Sequence, residues 1–286
     1  MICIALCVCP DICRGADAAN GQPGATWTEP ATGMEFILVP GGCFDMGRAP
    51  GVEEMLLREV HRSYFENHYA DEVPTREMCV DSFWIARREI TQGEWETVTG
   101  EANKTCHKVG RGKDLPANFI TYEDVLDFAE GLASLSSQHG GDGSVFRTPT
   151  EAEWEYACKA GRNQPFSTGM KLTPEDARYG VHRGADGELE RTETVAPVGS
   201  YPANAYGVYD LHGNVEEWTS TLYTPEPGVE PIFEERGSPR VVKGGSYFEA
   251  PRNLRCSHRK RATSLYVSCR LGARLVRVPP ASEQTD

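Results

Sequence analysis

After its N-terminus the chain lacks any apolar run of the roughly 18 residues a membrane-spanning helix needs, so no internal transmembrane helix is expected. It has no evident internal repeat, which sets a repeat architecture aside. A nucleophile elbow, a His-Glu-x-x-His pair and a Walker loop are all missing, so the commonest hydrolase, zinc-protease and phosphate-binding signatures are absent. None of the six cysteines in the body of the chain forms a Cys-x-x-Cys pair, which counts against a zinc ribbon. Basic residues are scarce against acidic ones, 29 to 42, a net charge of −13. Nucleic acid is therefore not expected as a partner, because phosphate binding needs a basic field.

What is present is a chain of 286 residues, 39% hydrophobic, with 29 glycines and 19 prolines. That supports a sizeable core with many turns. The fold class expected is α+β, with short helices set in a loop-rich domain of small antiparallel sheets. Residues 1–18 read as a signal segment, because Ile2 to Val8 is apolar and Ala16-Asp17-Ala18 resembles a cleavage site. Residues 19–33 read as a flexible lead-in, 34–278 as the domain, and 279–286 as a disordered tail. Strands are expected at 35–40 and 78–86, with a charged surface loop at 48–73 between them.

Three capping boxes mark helix starts: Thr91 with Glu94, Thr121 with Asp124, and Thr148 with Glu151, the last with Pro149 at the first helical position. After Thr121, the apolar positions Val125, Phe128, Ala129, Leu132 and Leu135 recur at helical spacing.

The dispersed cysteines Cys43, Cys79, Cys106, Cys158, Cys256 and Cys269 favour disulfides and an oxidising compartment, secreted or periplasmic. Cys43 and Cys79 lie on neighbouring strand candidates and are expected to pair. Cys158 is expected to pair with Cys256 or Cys269, and Cys106 has no evident partner. From Pro251 to Arg277 eight basic residues occur with no acidic one. They are either a cationic ligand groove or the inward partners of buried carboxylates.

Several motifs fall in one order: Phe36-Ile-Leu-Val-Pro-Gly-Gly42, Glu89-Ile-Thr-Gln-Gly-Glu-Trp95, Arg147-Thr-Pro-Thr-Glu-Ala-Glu-Trp-Glu-Tyr156, Tyr206-Gly-Val-Tyr-Asp-Leu-His-Gly-Asn-Val-Glu-Glu-Trp218, Val242-Lys-Gly-Gly-Ser-Tyr247 and Leu271-Gly-Ala-Arg-Leu-Val276. Together they resemble the formylglycine-generating enzyme, or sulfatase-modifying factor, family. The resemblance implies a variant C-type-lectin fold. It also implies a copper oxidase whose two thiolates, five residues apart, follow the Gly-Gly-Ser turn. Thiolates suit soft Cu(I). Here those positions hold Glu249 and Leu254, so copper is not expected and no catalytic residue is assigned. Family branches that use non-haem iron carry an HxxxHxE-type motif, a spacing the seven histidines do not show.

The resemblance also implies calcium, held by the Asn214 side chain, the Val215 carbonyl and Glu217, oxygen donors that suit a hard cation. A second calcium site looks lost at Arg178. The expected function is a ligand- or protein-binding accessory module. Its surface would be built by Tyr247, Phe248, Arg255, His258 and Arg259, taking an unknown protein, peptide or small anionic ligand. The alternative is a divergent metal-dependent oxidase, formylglycine-generating or non-haem-iron in type, acting on a protein or peptide.

Overall fold

The computed structural model describes residues 22–281, apart from 107, 184–187 and 230–236. The expected signal segment and the last residues of the expected tail lie outside the described residues. The apolar run at 35–39 forms β2 (Glu35–Val39), four of whose five residues are buried. A strand covered on both faces reads as a continuous apolar run rather than an alternation. Residues 26–28 depart from a flexible lead-in. They form β1 (Thr26–Thr28), paired antiparallel with β2, because Trp27 packs on Phe36 with ring centroids 5.7 Å apart.

β3 (Gly42–Met46) follows. The segment expected as a surface loop instead folds into α1 (Val52–Glu59) and α2 (Arg62–His68), then a short 3-10 turn at Ala70–Glu72. Its charge conceals two apolar i,i+4 pairs: Val52 with Leu56, and Phe65 with Tyr69. All four are buried in one cluster, with the Arg48 guanidinium 4.7 Å from the Phe65 ring centre.

The strand expected at 78–86 is two strands in different sheets. β4 (Arg76–Val80) pairs with β3, and β5 (Phe83–Ala86) pairs with β2. The Cys43–Cys79 disulfide crosses the β3–β4 ladder, where the two residues are register partners.

α3 (Gln92–Thr99) and α4 (Tyr122–Gln138) begin at the Thr91 and Thr121 capping boxes. β6 (Val145–Arg147) leads into α5 (Glu151–Lys159). This helix is capped by Thr150 and Glu153, two residues later than the pattern at Thr148 suggests. Pro149 precedes the cap, and its carbonyl accepts hydrogen bonds from Ser220 N–H and Oγ–H.

The remaining strands are β7 (Val181–Arg183), β8 (Leu189–Arg191), β9 (Glu216–Leu222), β10 (Pro239–Lys243), β11 (Lys260–Thr263), β12 (Leu271–Gly272) and β13 (Val276–Val278). Among the described residues a five-stranded sheet runs β1-β2-β5-β13-β6, and a four-stranded one runs β11-β10-β9-β12. Pairing is antiparallel except between β9 and β12. The main core lies where α4 lays Val125, Phe128, Ala129 and Leu132 against Trp218, Val242 and Leu271. A second core joins Trp154 and Tyr156 of α5 to Ile37, Ile85 and Val276. Among the described residues three disulfides cross-link the domain. Cys158 takes Cys256 of its two expected partners, and Cys106, for which the sequence offered none, takes Cys269.

Candidate functional site

The Gly244-Gly245 turn ends β10 with both residues at positive φ, 88° and 67°. A Cβ on Gly245 would stand 2.8 Å from the Asn253 carbonyl oxygen, so only glycine lets residues 246–254 fold back this closely. That fold-back places Glu249 on the wall of a cleft of about 730 Å³, lined also by Tyr64, His68, Tyr223, His258, Lys260 and Arg261. Leu254 takes the opposite course. It is 0% exposed and packs with Phe166, Leu172, Ala177 and Tyr179.

Glu249 does not stand alone. Glu216 of β9 faces it and is 1% exposed. Its Oε1 accepts from Lys260 Nζ at 2.5 Å, and its buried Oε2 has no hydrogen-bond partner among the described residues. Burial pushes the Glu249 carboxyl up to about 8, and the adjacent Glu216 charge adds to this; Lys260 and Arg270 oppose it. Two carboxylates this close do not both ionise readily, so Glu249 is held mainly protonated at neutral pH. Burial works against the Lys260 ammonium, but Glu216 holds its pKa above the usual lysine value.

The expected ligand surface needs correction. Arg255 is buried, and its guanidinium donates to both Glu72 oxygens at 2.5 and 2.6 Å. Arg259 is buried likewise, donating to Glu151 at 2.6 and 3.1 Å and to the carbonyls of Asp71 and Thr224. Tyr247 is buried too. These arginines neutralise carboxylates inside the domain, so the inward reading holds for them. Their contribution to the cleft is structural.

His258 lies at the cleft edge with Nδ1 3.4 Å from Glu72, its pKa lowered by burial despite that carboxylate. Phe248 alone of the five is well exposed, at 47%, with the Arg270 guanidinium 3.7 Å from its ring centre.

The expected calcium donors also diverge. Both Glu217 oxygens accept from Arg274, and Oε2 accepts from Trp154 Nε1 as well. The Asn214 amide donates to Glu89, and its carbonyl oxygen accepts from the Ala196 N–H. Glu217 is thus a partner of Arg274 rather than a free donor. Adjacent residues on a strand face opposite ways. This is why Glu216 reaches the cleft side and Glu217 the interior.

Glu89 and Asp210 sit near this pair. Burial raises Glu89 well above the usual carboxylate range, with Asp210 and Glu217 adding to it, and burial lifts Asp210 to about 6. Asp210 Oδ2 accepts from the Gly199 N–H, while its buried Oδ1 has no hydrogen-bond partner among the described residues. Among the described residues Glu89, Asp210 and Glu217 do not bring three carboxylate oxygens within 4.8 Å of one another.

The sequence pointed to Glu249 as a vacant thiolate position and to Lys260 as one of the eight basic residues between Pro251 and Arg277, and passed over Glu216 and Tyr223. The consecutive Glu216-Glu217 in a strand was the available signal for Glu216. Nothing local marked Tyr223.

These features define a lectin-like scaffold whose cleft follows a Gly-Gly-Ser turn, and comparison with known proteins agrees. Residues 23–279 match the sulfatase-modifying factor enzyme 1-like domain, and the chain belongs to that family. It is 38% identical over 284 residues to the formylglycine-generating enzyme of Mus musculus, covering 82% of this chain and 72% of that protein. It is 29% identical over 297 residues to the hercynine oxygenase of Mycolicibacterium smegmatis, covering 87% of this chain and 61% of that protein. The solved structure of PvdO from Pseudomonas aeruginosa superposes with a TM-score of 0.68 at 25% identity, covering 90% of this chain and 99% of that one.

Proposed function

We propose that the chain is a secreted or periplasmic ligand- or protein-binding accessory module of this family, working without thiolate-bound copper through the cleft over Glu249. The observation that carries this reading is the fate of the two thiolate positions. One holds a carboxyl group on the cleft wall and the other a leucine in the core. Neither offers the soft donor that Cu(I) takes, so the residues do not fit that metal.

The cleft walls suit a peptide or a small anionic ligand. Glu249 in its protonated form donates a hydrogen bond, Lys260 and Arg261 supply positive charge, and Tyr64 and Tyr223 supply stacking area. Three disulfides fit an oxidising compartment, and no described helix is long and apolar enough to cross a membrane. Calcium belongs to the proposal as a structural ion. It would draw on the unpartnered Asp210 oxygen and the Asn214 and Val215 segment, and would relieve the charge crowding at Glu89.

The second reading is a divergent metal-dependent oxidase, formylglycine-generating or non-haem-iron in type. It is favoured by similarity to proteins named as a formylglycine-generating enzyme and a hercynine oxygenase. The Glu249, Glu216 and Lys260 cluster could serve proton transfer in such a reaction.

Two measurements on the purified protein separate the readings. Metal analysis is expected to find no stoichiometric copper or iron. A fluorescein-labelled peptide library read by polarisation is expected to give ligands that Tyr223→Ala and Glu249→Ala both weaken. Stoichiometric copper or iron, with oxygen-dependent turnover of a peptide, would overturn the binding-module reading.

A further inference from the structure

Cys158 and Cys256 are both 0% exposed and joined as a disulfide between α5 and the segment before β11. Buried beside them is His212, whose Nε2 lies 3.9 Å from Cys158 Sγ. The two sulfurs and an imidazole nitrogen all fall within 4.8 Å of one another, the one such three-donor group among the described residues.

The imidazole is already set up as a donor. Its Nδ1 is 2.8 Å from the Leu254 carbonyl oxygen, which can only accept, so Nδ1 carries the proton. Nε2 then presents its lone pair, accepting from the Ser167 N–H at 3.0 Å and lying 2.9 Å from Ser167 Oγ. A backbone carbonyl fixing the tautomer and orientation of a histidine is the usual outer support of a metal-binding imidazole. Burial also keeps the ring neutral, with its pKa pushed down to about 4.

His212 and Ser167 line a second cleft, of about 430 Å³, with Thr168, Asp176 and Asp210. Glu249 does not line it, so this site is separate from the one above.

We propose that two-electron reduction of the Cys158–Cys256 disulfide converts this group into a Cys2His site for a thiophilic divalent ion such as zinc, with its fourth position facing the second cleft. The balance is simple. A dithiol or phosphine reductant gives two electrons, the S–S bond breaks, and two protons from solvent complete two thiols. The ion then forms two metal–thiolate bonds with release of those protons, and one bond to His212 Nε2, which leaves Ser167. Three protein donors and one open position is the ligand count of zinc sites that bind a water or substrate as fourth ligand, whereas closed structural sites use four protein donors. In the oxidised chain the sulfurs carry no charge and hold no ion, so metal binding is conditional on redox state.

The other two disulfides offer no comparable group. Cys43 and Cys79 are exposed, and neither they nor the Cys106–Cys269 pair has a histidine or carboxylate completing a three-donor set among the described residues.

Cobalt(II) is the probe, because thiolate ligation gives it a near-ultraviolet charge-transfer band and tetrahedral geometry gives intense visible bands. The chain is prepared with Cys3, Cys7, Cys9, Cys13, Cys43, Cys79, Cys106 and Cys269 changed to serine, so that only Cys158 and Cys256 can supply thiolates. It is reduced with a phosphine, freed of reductant under anaerobic conditions and titrated. We expect one cobalt per chain, displaced by zinc, only after reduction. Cys256→Ser should remove most of the charge-transfer band, and His212→Ala should keep that band but shift the visible ones. Circular dichroism of the reduced chain is recorded in parallel. A reduced, folded chain with free thiols and no band would overturn the proposal. So would a band that survives Cys256→Ser, or a chain that unfolds on reduction and is not refolded by metal.

Discussion

Arg274 and Glu217 meet as a two-pronged ion pair at the centre of the domain, Nε to Oε2 at 2.6 Å and Nη2 to Oε1 at 2.7 Å, with neither side chain exposed. The same guanidinium also donates to the carbonyls of Ala86 and Tyr209. It therefore ties β9 to the end of β5 and to the segment around Tyr209. Removing one member of such a pair leaves the other charge buried without its partner. Glu217→Gln should cost about 3–5 kcal/mol, measured by urea denaturation. A loss below about 1 kcal/mol would show that the pair does not organise the centre.

Glu249 gives a pH signature of definite sign. Its folded-state pKa, about 8, lies above its ordinary value of 4.5, so the folded chain binds the extra proton between those limits. Stability should therefore fall as pH rises from about 4.5 to about 8, by a few kcal/mol, since each tenfold change in proton affinity is worth about 1.4 kcal/mol. Glu249→Gln, which keeps a hydrogen-bond donor without the titration, should flatten that slope. A wild-type slope unchanged by the substitution would place the titration elsewhere.

Glu72 contributes to the acid side, together with Asp142, Glu153 and Glu155, which are also held below their ordinary carboxyl values by their basic partners and hydrogen bonds. Burial alone would raise the Glu72 carboxyl, but Arg255 and the hydrogen bonds of His258 and Arg255 hold it down to about 2. Its contribution is present above pH 4.5 and lost as pH falls toward 2. Glu72→Gln should make the acid limb shallower by the share Glu72 contributes and lower the melting temperature at neutral pH. An unchanged acid limb in thermal scans would contradict the assignment.

Calcium is tested through Asp210. If the ion relieves the crowding at Glu89, calcium should raise the melting temperature. The folded state should gain about 2.7 kcal/mol of stability at about 100 times Kd, for binding to the folded state only. Asp210→Ala should abolish the calcium-dependent rise. No shift on adding calcium to metal-free protein would remove this part of the proposal.

The Cys43–Cys79 bridge joins residues 36 apart in sequence. In the chain-entropy model closing a loop of that size contributes about 3–4 kcal/mol. The double serine variant should lose about that much on denaturation while keeping native circular dichroism. A loss near zero would mean that the β3–β4 pairing already restrains the reduced chain.

The amino-acid sequence by itself determined the local elements whose signals are local. Thr91 with Glu94 and Thr121 with Asp124 specify helix starts through groups three residues apart, and both appear as read. The ordered motifs carried the family and hence the α+β scaffold, and the Gly-Gly-Ser turn marked where the cleft would lie.

Tertiary structure alone decided which way charged side chains face. Arg255 and Arg259 look like a ligand surface until Glu72 and Glu151, 183 and 108 residues away in sequence, arrive to neutralise them. Likewise the Met78–Ala86 segment divides between two sheets because each half finds a different partner strand, which no local pattern encodes. The Glu249–Glu216–Lys260 cluster exists only because β9 and β11 flank β10 in one sheet. The field that keeps Glu249 protonated is a property of that juxtaposition, not of any stretch of chain.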